Sequence, residues 1–228
     1  MNFRMIVYLL GVILLLVSGL MLLPSVVALI FKENALPFVL TVFIGLAVAL
    51  PAVIFKPKDT RIYSKEGFIT VALSWIVLSL FGAFPFVFSG AIPNYIDAFF
   101  ETVSGFTTTG ASVIADIESV GRGIHFWRCL THWIGGMGVL VLMLALFPGE
   151  NGSVIYLMRA EVPGPQKGKL VPKMKSSAMI LYGIYIAMTL VVVLVLLLCG
   201  QPLYHALINA FSTAGTVQFS SLYQPSNT

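Results

Sequence analysis

Apolar residues run along this chain in five long stretches, at approximately 5–31, 35–55, 67–90, 123–147 and 176–200, separated by short polar clusters. Each stretch has the roughly 20 residues that a helix rising about 1.5 Å per residue needs to cross a hydrocarbon core of about 30 Å. Pro24 and Pro85 mark expected kinks or ends, because proline removes a backbone donor and crowds the preceding turn. Between the third and fourth stretches the pattern changes. From Asn94 to Val113 the chain reads NYIDAFFETVSGFTTTGASV, an amphipathic segment closed by three threonines and a glycine. A dozen helical residues cover only about 18 Å, so this segment is expected to enter the membrane and turn back. The predicted fold is an all-α integral membrane protein in which transmembrane helices flank re-entrant pore helices.

The pore helix is predicted from Tyr95 to Gly105, after Pro93 and Asn94, with Asp97 in its first turn; these are helix-start signals. Its C-terminal carbonyl end then points toward the membrane centre, where the helix dipole favours a cation. Non-helical backbone survives at that depth only when it is buried in protein or lines water. Carbonyls of Thr107, Thr108, Thr109 and Gly110 facing an aqueous path would replace the hydration shell of a monovalent cation. Gly110 would supply the backbone freedom that aims those carbonyls inward. The alternative is a polar re-entrant turn that conducts nothing.

Composition agrees with the membrane assignment: 58% of residues are hydrophobic and 10% charged, and the mean hydropathy is +0.98. An ordinary soluble domain is excluded. The first stretch is longer than a signal-peptide core and lacks a small-residue cleavage site, so a retained helix is expected. The net charge of +4 does not point to nucleic acid, because the basic residues sit in short loops. Lys56, Lys58, Arg61 and Lys65 follow the second stretch; Arg159, Lys167, Lys169, Lys173 and Lys175 follow the fourth. Both loops are expected to be cytoplasmic, and Arg4 places the N-terminus on the same side. The opposite side collects Asp97, Glu101, Asp116 and Glu118 around the pore segment, an acidic vestibule that would concentrate cations.

Gly135, Gly136 and Gly138 allow close helix packing, with a gating hinge as the alternative. Arg128 and His132 lie four apart near one end of the fourth stretch, where Arg128 is expected to snorkel. His125, His132 and His205 have no metal-ligand spacing, and their expected fate is an interfacial hydrogen bond. Cys129 and Cys199 fall inside apolar stretches, where no structural disulfide is expected. An enzyme is disfavoured, since catalysis in the bilayer needs ionisable residues facing a cavity.

Three strings, SGFTTTGASV at 104–113, HWIGGMGVLVL at 132–142 and RAEVPGP at 159–165, resemble the Trk/Ktr/HKT family of potassium transporters, in particular its bacterial Trk-type membrane subunit. The resemblance covers nearly the whole chain. It implies four membrane-pore-membrane repeats around a central path, preceded by an additional helix pair. Residues 1–60 then correspond to that pair, 61–150 to the first repeat, 151–175 to a cytoplasmic loop, and 176–228 to an incomplete second repeat. It also implies potassium as the transported ion, held by filter carbonyls with no covalently bound cofactor. A bacterial inner-membrane location, a homodimer of complete subunits and a cytoplasmic nucleotide-binding regulatory ring follow from the same resemblance.

Aligning Ser104 with Ser212 gives a repeat offset of 108 residues, which puts Thr108 on Thr216 but Gly110 on Gln218. The second filter segment is thus expected at Thr216, Val217 and Gln218, with glutamine in place of the glycine. The sequence stops at Thr228. Two functional expectations follow: a channel-like potassium uptake subunit completed by other chains, or a truncated, non-conducting fragment that at most packs with full-length homologues.

Overall fold

The computed structural model describes residues 2–55, 57, 64–117, 119–138 and 173–216, and its regular elements among these are all helices. They are α1 (Phe3–Leu20), α2 (Leu22–Ile30), α3 (Leu36–Ile54), α4 (Ser64–Gly82), α5 (Phe84–Phe88), α6 (Tyr95–Phe106), α7 (Arg122–Met137), α8 (Lys173–Leu198) and α9 (Leu203–Ala214). Among the described residues four segments are long and apolar enough to cross a membrane: Phe3–Ile30, Leu36–Ile54, Glu66–Phe88 and Met179–Leu198. Two of them bend where proline requires it. α1 ends at Leu20, the residue whose carbonyl would meet the ring of Pro24, and α4 ends at Gly82, one residue past the carbonyl that Pro85 cannot use.

α1 packs on α3 and α4, and its buried residues Leu9, Ile13 and Val17, at four-residue spacing, share one helix face that Met21 continues. Small residues set the approach between helices. A Cβ at Gly45 of α3 would lie 2.1 Å from the Ser18 hydroxyl of α1, and one at Gly11 would lie 2.8 Å from Ala52 Cβ. The outward faces keep large apolar side chains exposed, among them Phe43, Val48, Leu190, Val191 and Leu194, as a surface solvated by lipid requires.

α7 is the exception to the hydropathy pattern. The expected span 123–147 is described only to Gly138, and the described helix has 16 residues with two arginines and two histidines. It is nevertheless the most enclosed helix among those described, buried continuously from Gly123 to His132 between α2, α6 and α9. Its polar groups are accommodated by protein instead of lipid.

The start of α7 is capped from a distance. Its N-cap, Gly121, offers no side chain, and Glu33 from the α2–α3 turn takes that place. Arg122 N–H donates to Glu33 Oε1 at 2.8 Å and Gly123 N–H to Oε2 at 2.9 Å. A carboxylate there satisfies two orphan donors and meets the positive end of the helix dipole. The Arg122 guanidinium lies 4.3 Å from the centre of the Phe31 ring, and Tyr204 at the start of α9 donates its hydroxyl to the Arg122 carbonyl at 2.9 Å. Glu33→Ala is expected to lower stability by about 1–2 kcal/mol, read as a reduced melting temperature of the detergent-solubilised protein, with Glu33→Gln intermediate.

Candidate functional site

α6 and α9 are matching re-entrant helices. Each has 12 residues, and both their first residues, Tyr95 and Leu203, and their last, Phe106 and Ala214, are separated by the 108-residue offset. α6 starts as its sequence predicts: the Asn94 side chain caps Ile96 N–H at 3.0 Å and Asp97 sits in the first turn. The expected end at Gly105 extends by one residue to Phe106.

The two helices end in the same turn. Thr107 N–H donates to Val103 O at 2.9 Å and Thr108 N–H to Gly105 O at 3.0 Å; Gly215 N–H donates to Phe211 O and Thr216 N–H to Thr213 O, both at 3.0 Å. Thr108 and Thr216 take left-handed backbone angles, φ of 54° and 59°. In the first turn Thr109 N–H completes the pattern with a 3.0 Å bond to Ser104 O, a Schellman motif whose left-handed position is usually glycine. A β-branched residue there costs about 1–2 kcal/mol and persists only where its surroundings fix it. Gly110 follows at φ 82°, so two of three consecutive residues take left-handed φ values.

Thr107 and Thr109 are exposed and their hydroxyls are 2.7 Å apart, while Thr107 Oγ1 also donates to Val103 O at 2.7 Å. Thr107, Thr108, Thr109 and Gly110 therefore form one continuous turn at the end of α6. Thr216 occupies the equivalent place at the end of α9. Val217 and Gln218 lie outside the described residues.

α7 holds the two turns together through adjacent glycines. A Cβ at Gly135 would sit 2.2 Å from the Phe106 carbonyl oxygen, and one at Gly136 would sit 3.1 Å from the Ala214 oxygen and 2.5 Å from the Tyr185 hydroxyl. Phe106 and Ala214 are equivalent under the repeat offset, so one pair of glycines receives the same position of both repeats. Gly105 and Gly215 complete the contact from the other side, facing Thr131 Oγ1 at 2.2 Å and the His132 carbonyl at 2.8 Å. The glycines thus serve close packing, as expected; Gly138, at φ 80°, ends the described part of α7.

Three expectations are corrected. Arg128 does not snorkel: its side chain is 2% exposed and its Nε pairs with Glu101, whose side chain is 1% exposed. Glu101 is therefore not part of an open acidic vestibule. Its carboxylate also accepts the Ser112 hydroxyl at 3.1 Å and Val113 N–H at 2.9 Å. His132 is likewise buried, with Nδ1 2.8 Å from the Arg128 carbonyl, and not at an interface. A helix packed against two short neighbouring helices can bury such groups because the surrounding protein supplies their partners.

Comparison with known proteins agrees with this arrangement. The chain is 40% identical to the Trk system potassium uptake protein TrkH of Salmonella typhimurium, over 97% of this chain and 47% of that protein. It is 35% identical to the Trk system potassium uptake protein TrkG of Escherichia coli K12, over 96% of this chain and 46% of that protein. The crystal structure of the potassium transporter TrkH from Vibrio parahaemolyticus superposes with a TM-score of 0.76 at 33% identity, covering 93% of this chain and 43% of that one. The chain thus spans about half the length of the curated relatives it matches. With the family described as "TrkH: Cation transport protein" matching residues 36–221, and with paired re-entrant helices ending in equivalent turns, the chain belongs to the TrkH family of cation transport proteins.

Proposed function

We propose that this chain contributes the opening part of a potassium-conducting pathway, in which the carbonyls of Thr107, Thr108, Thr109 and Gly110 form one segment of the selectivity filter. Residues 1–60 act as a peripheral helix pair, 61–150 as the first membrane-pore-membrane repeat, 151–175 as a cytoplasmic loop and 176–228 as part of the second repeat. Thr216, Val217 and Gln218 begin the second filter segment. The observation that carries the reading is the repeated turn, with Thr108 and Thr216 in the same strained conformation at the ends of two helices of equal length. Backbone strain of this kind collects where carbonyl direction matters. The pairing of a short helix with a reversing, partly exposed loop also suits replacement of a cation's hydration shell.

Potassium is the ion named for the Trk relatives, and it is the ion proposed here. Potassium enters as transported substrate, and no enzymatic step is assigned. The positive-inside rule orients the N-terminus and the basic segments near 56–65 and 159–175 toward the cytoplasm of a bacterial inner membrane. Those segments are candidate docking surfaces for a nucleotide-binding ring, and complete subunits are proposed to pair as homodimers. Four such segments around one axis would close the filter, so the rest of the pathway must come from further repeats.

The test is a graft of residues 1–228 onto the remaining repeats of a related full-length subunit. In cells lacking their own potassium uptake systems, the graft is expected to restore growth at low potassium and to take up rubidium. A graft that inserts in the membrane at parental levels, yet supports neither, would contradict the proposed function.

A further inference from the structure

We infer that the buried Glu101–Arg128 pair is a brace that fixes the first filter segment and thereby sets its ion preference. The inference rests on the transport reading above and deepens it. Glu101 lies in α6, five residues before the helix ends, and its carboxylate reaches both the outgoing loop and the neighbouring helix. One oxygen takes the Ser112 hydroxyl and the Arg128 Nε–H; the other takes Val113 N–H. The Ser112 hydroxyl in turn accepts Ile114 N–H at 3.0 Å. The loop from Thr107 to Ala111 is therefore anchored at both ends. Gly135 of α7 abuts its start at Phe106, and Glu101 ties its exit at Ser112 and Val113.

Energetics argue for positioning over bulk stability. Removing two charges from water costs about as much as their attraction returns, and well-packed apolar side chains would serve the fold equally well. A carboxylate that accepts from a backbone amide, a hydroxyl and a guanidinium does what an apolar side chain cannot: it fixes the loop relative to both helices. Arg128 is itself fixed by its place in α7, where its carbonyl accepts from Thr131 Oγ1 at 2.7 Å. The residue equivalent to Glu101 is Asn209, whose amide donates to Gln201 Oε1 at 3.1 Å. The carboxylate of the first pore helix is thus replaced by an amide at the equivalent position of the second.

The experiment uses the graft described above, parental and carrying Glu101→Ala, Glu101→Gln, Arg128→Met or Arg128→Lys. Two quantities are measured in each: amide hydrogen exchange across 107–114, with α1 and α3 as internal references, and the ratio of potassium to sodium uptake. Glu101→Ala and Arg128→Met are expected to speed exchange in 107–114 by about tenfold or more while leaving α1 and α3 unchanged, since a local anchor is lost. The uptake ratio is expected to fall by about tenfold, as the carbonyls lose their fixed spacing. Glu101→Gln keeps an acceptor for Val113 N–H and Arg128→Lys keeps a cation, so both should fall between parent and truncation. These milder variants decide the matter if the truncations do not fold. Unchanged exchange at 107–114, or acceleration spread evenly over all helices, would overturn the brace. A parental graft that transports no potassium would instead defeat the transport reading, and the exchange measurement would still decide the brace.

Discussion

Gly135→Ala is expected to lower the melting temperature sharply and to reduce the yield of monodisperse protein. The added Cβ would lie 2.2 Å from the Phe106 oxygen and 2.8 Å from its carbonyl carbon, and both are backbone atoms that no rotamer change can move. Overpacking of this kind costs about 1–3 kcal/mol, and more where neighbours cannot yield, out of a total stability of about 5–15 kcal/mol. The displacement would fall on Phe106, which precedes the Thr107–Gly110 turn. Gly183 in α8 is the control: it is exposed, and a Cβ there meets nothing within 4 Å. Gly183→Ala should leave the protein unchanged or raise its stability by up to about 1 kcal/mol, because alanine is the better helix former. Size-exclusion profiles and melting temperatures of the two variants, purified in one detergent, make the comparison. Equal profiles for Gly135→Ala and parent would mean that α7 does not pack on the end of α6 as described.

The short helix and its turn were legible in the sequence because their signals are local. Asn94 and Asp97 mark a helix start, twelve residues cannot span a bilayer, and a run of threonines ending in glycine cannot continue the helix. The bends near Pro24 and Pro85 were legible for the same reason. The repeat offset read from Ser104 and Ser212 predicted the pairing of Thr108 with Thr216, and both backbones are left-handed at those positions. The sequence did not indicate that threonine itself would occupy the left-handed position. Glycine is the residue expected there, and only surrounding contacts make threonine tolerable.

What stayed hidden depends on contacts between distant residues. Arg128 near the end of an apolar stretch reads as a snorkelling side chain, and Glu101 beside Asp97 reads as part of an acidic rim. Neither reading considers the other residue, 27 positions away. A signal was available: a carboxylate in a segment meant to enter the membrane and an arginine in the next helix are each costly alone, and each implies a partner. The Glu33 cap on α7 spans 89 residues, and no local motif announces it. α7 also looked like an ordinary apolar span, although its described part is short and polar and relies on α2, α6 and α9 for burial.

Exchange of residues between the two repeats tests most directly the proposed lining of the selective path by Gly110 and its neighbours. In the graft, Gly110→Gln forces a side chain onto a backbone at φ 82°, at a cost of about 1–2 kcal/mol, which corresponds to about tenfold in an equilibrium between open and distorted filter geometries. The predicted result is a fall of about tenfold in the potassium-to-sodium uptake ratio, at matched membrane expression. Gln218→Gly should move the ratio the other way or raise the rate, by returning backbone freedom to the equivalent position of the second segment. If parent, Gly110→Gln and Gln218→Gly transport at one rate with one potassium-to-sodium ratio, neither position lines the path and the proposed filter is contradicted.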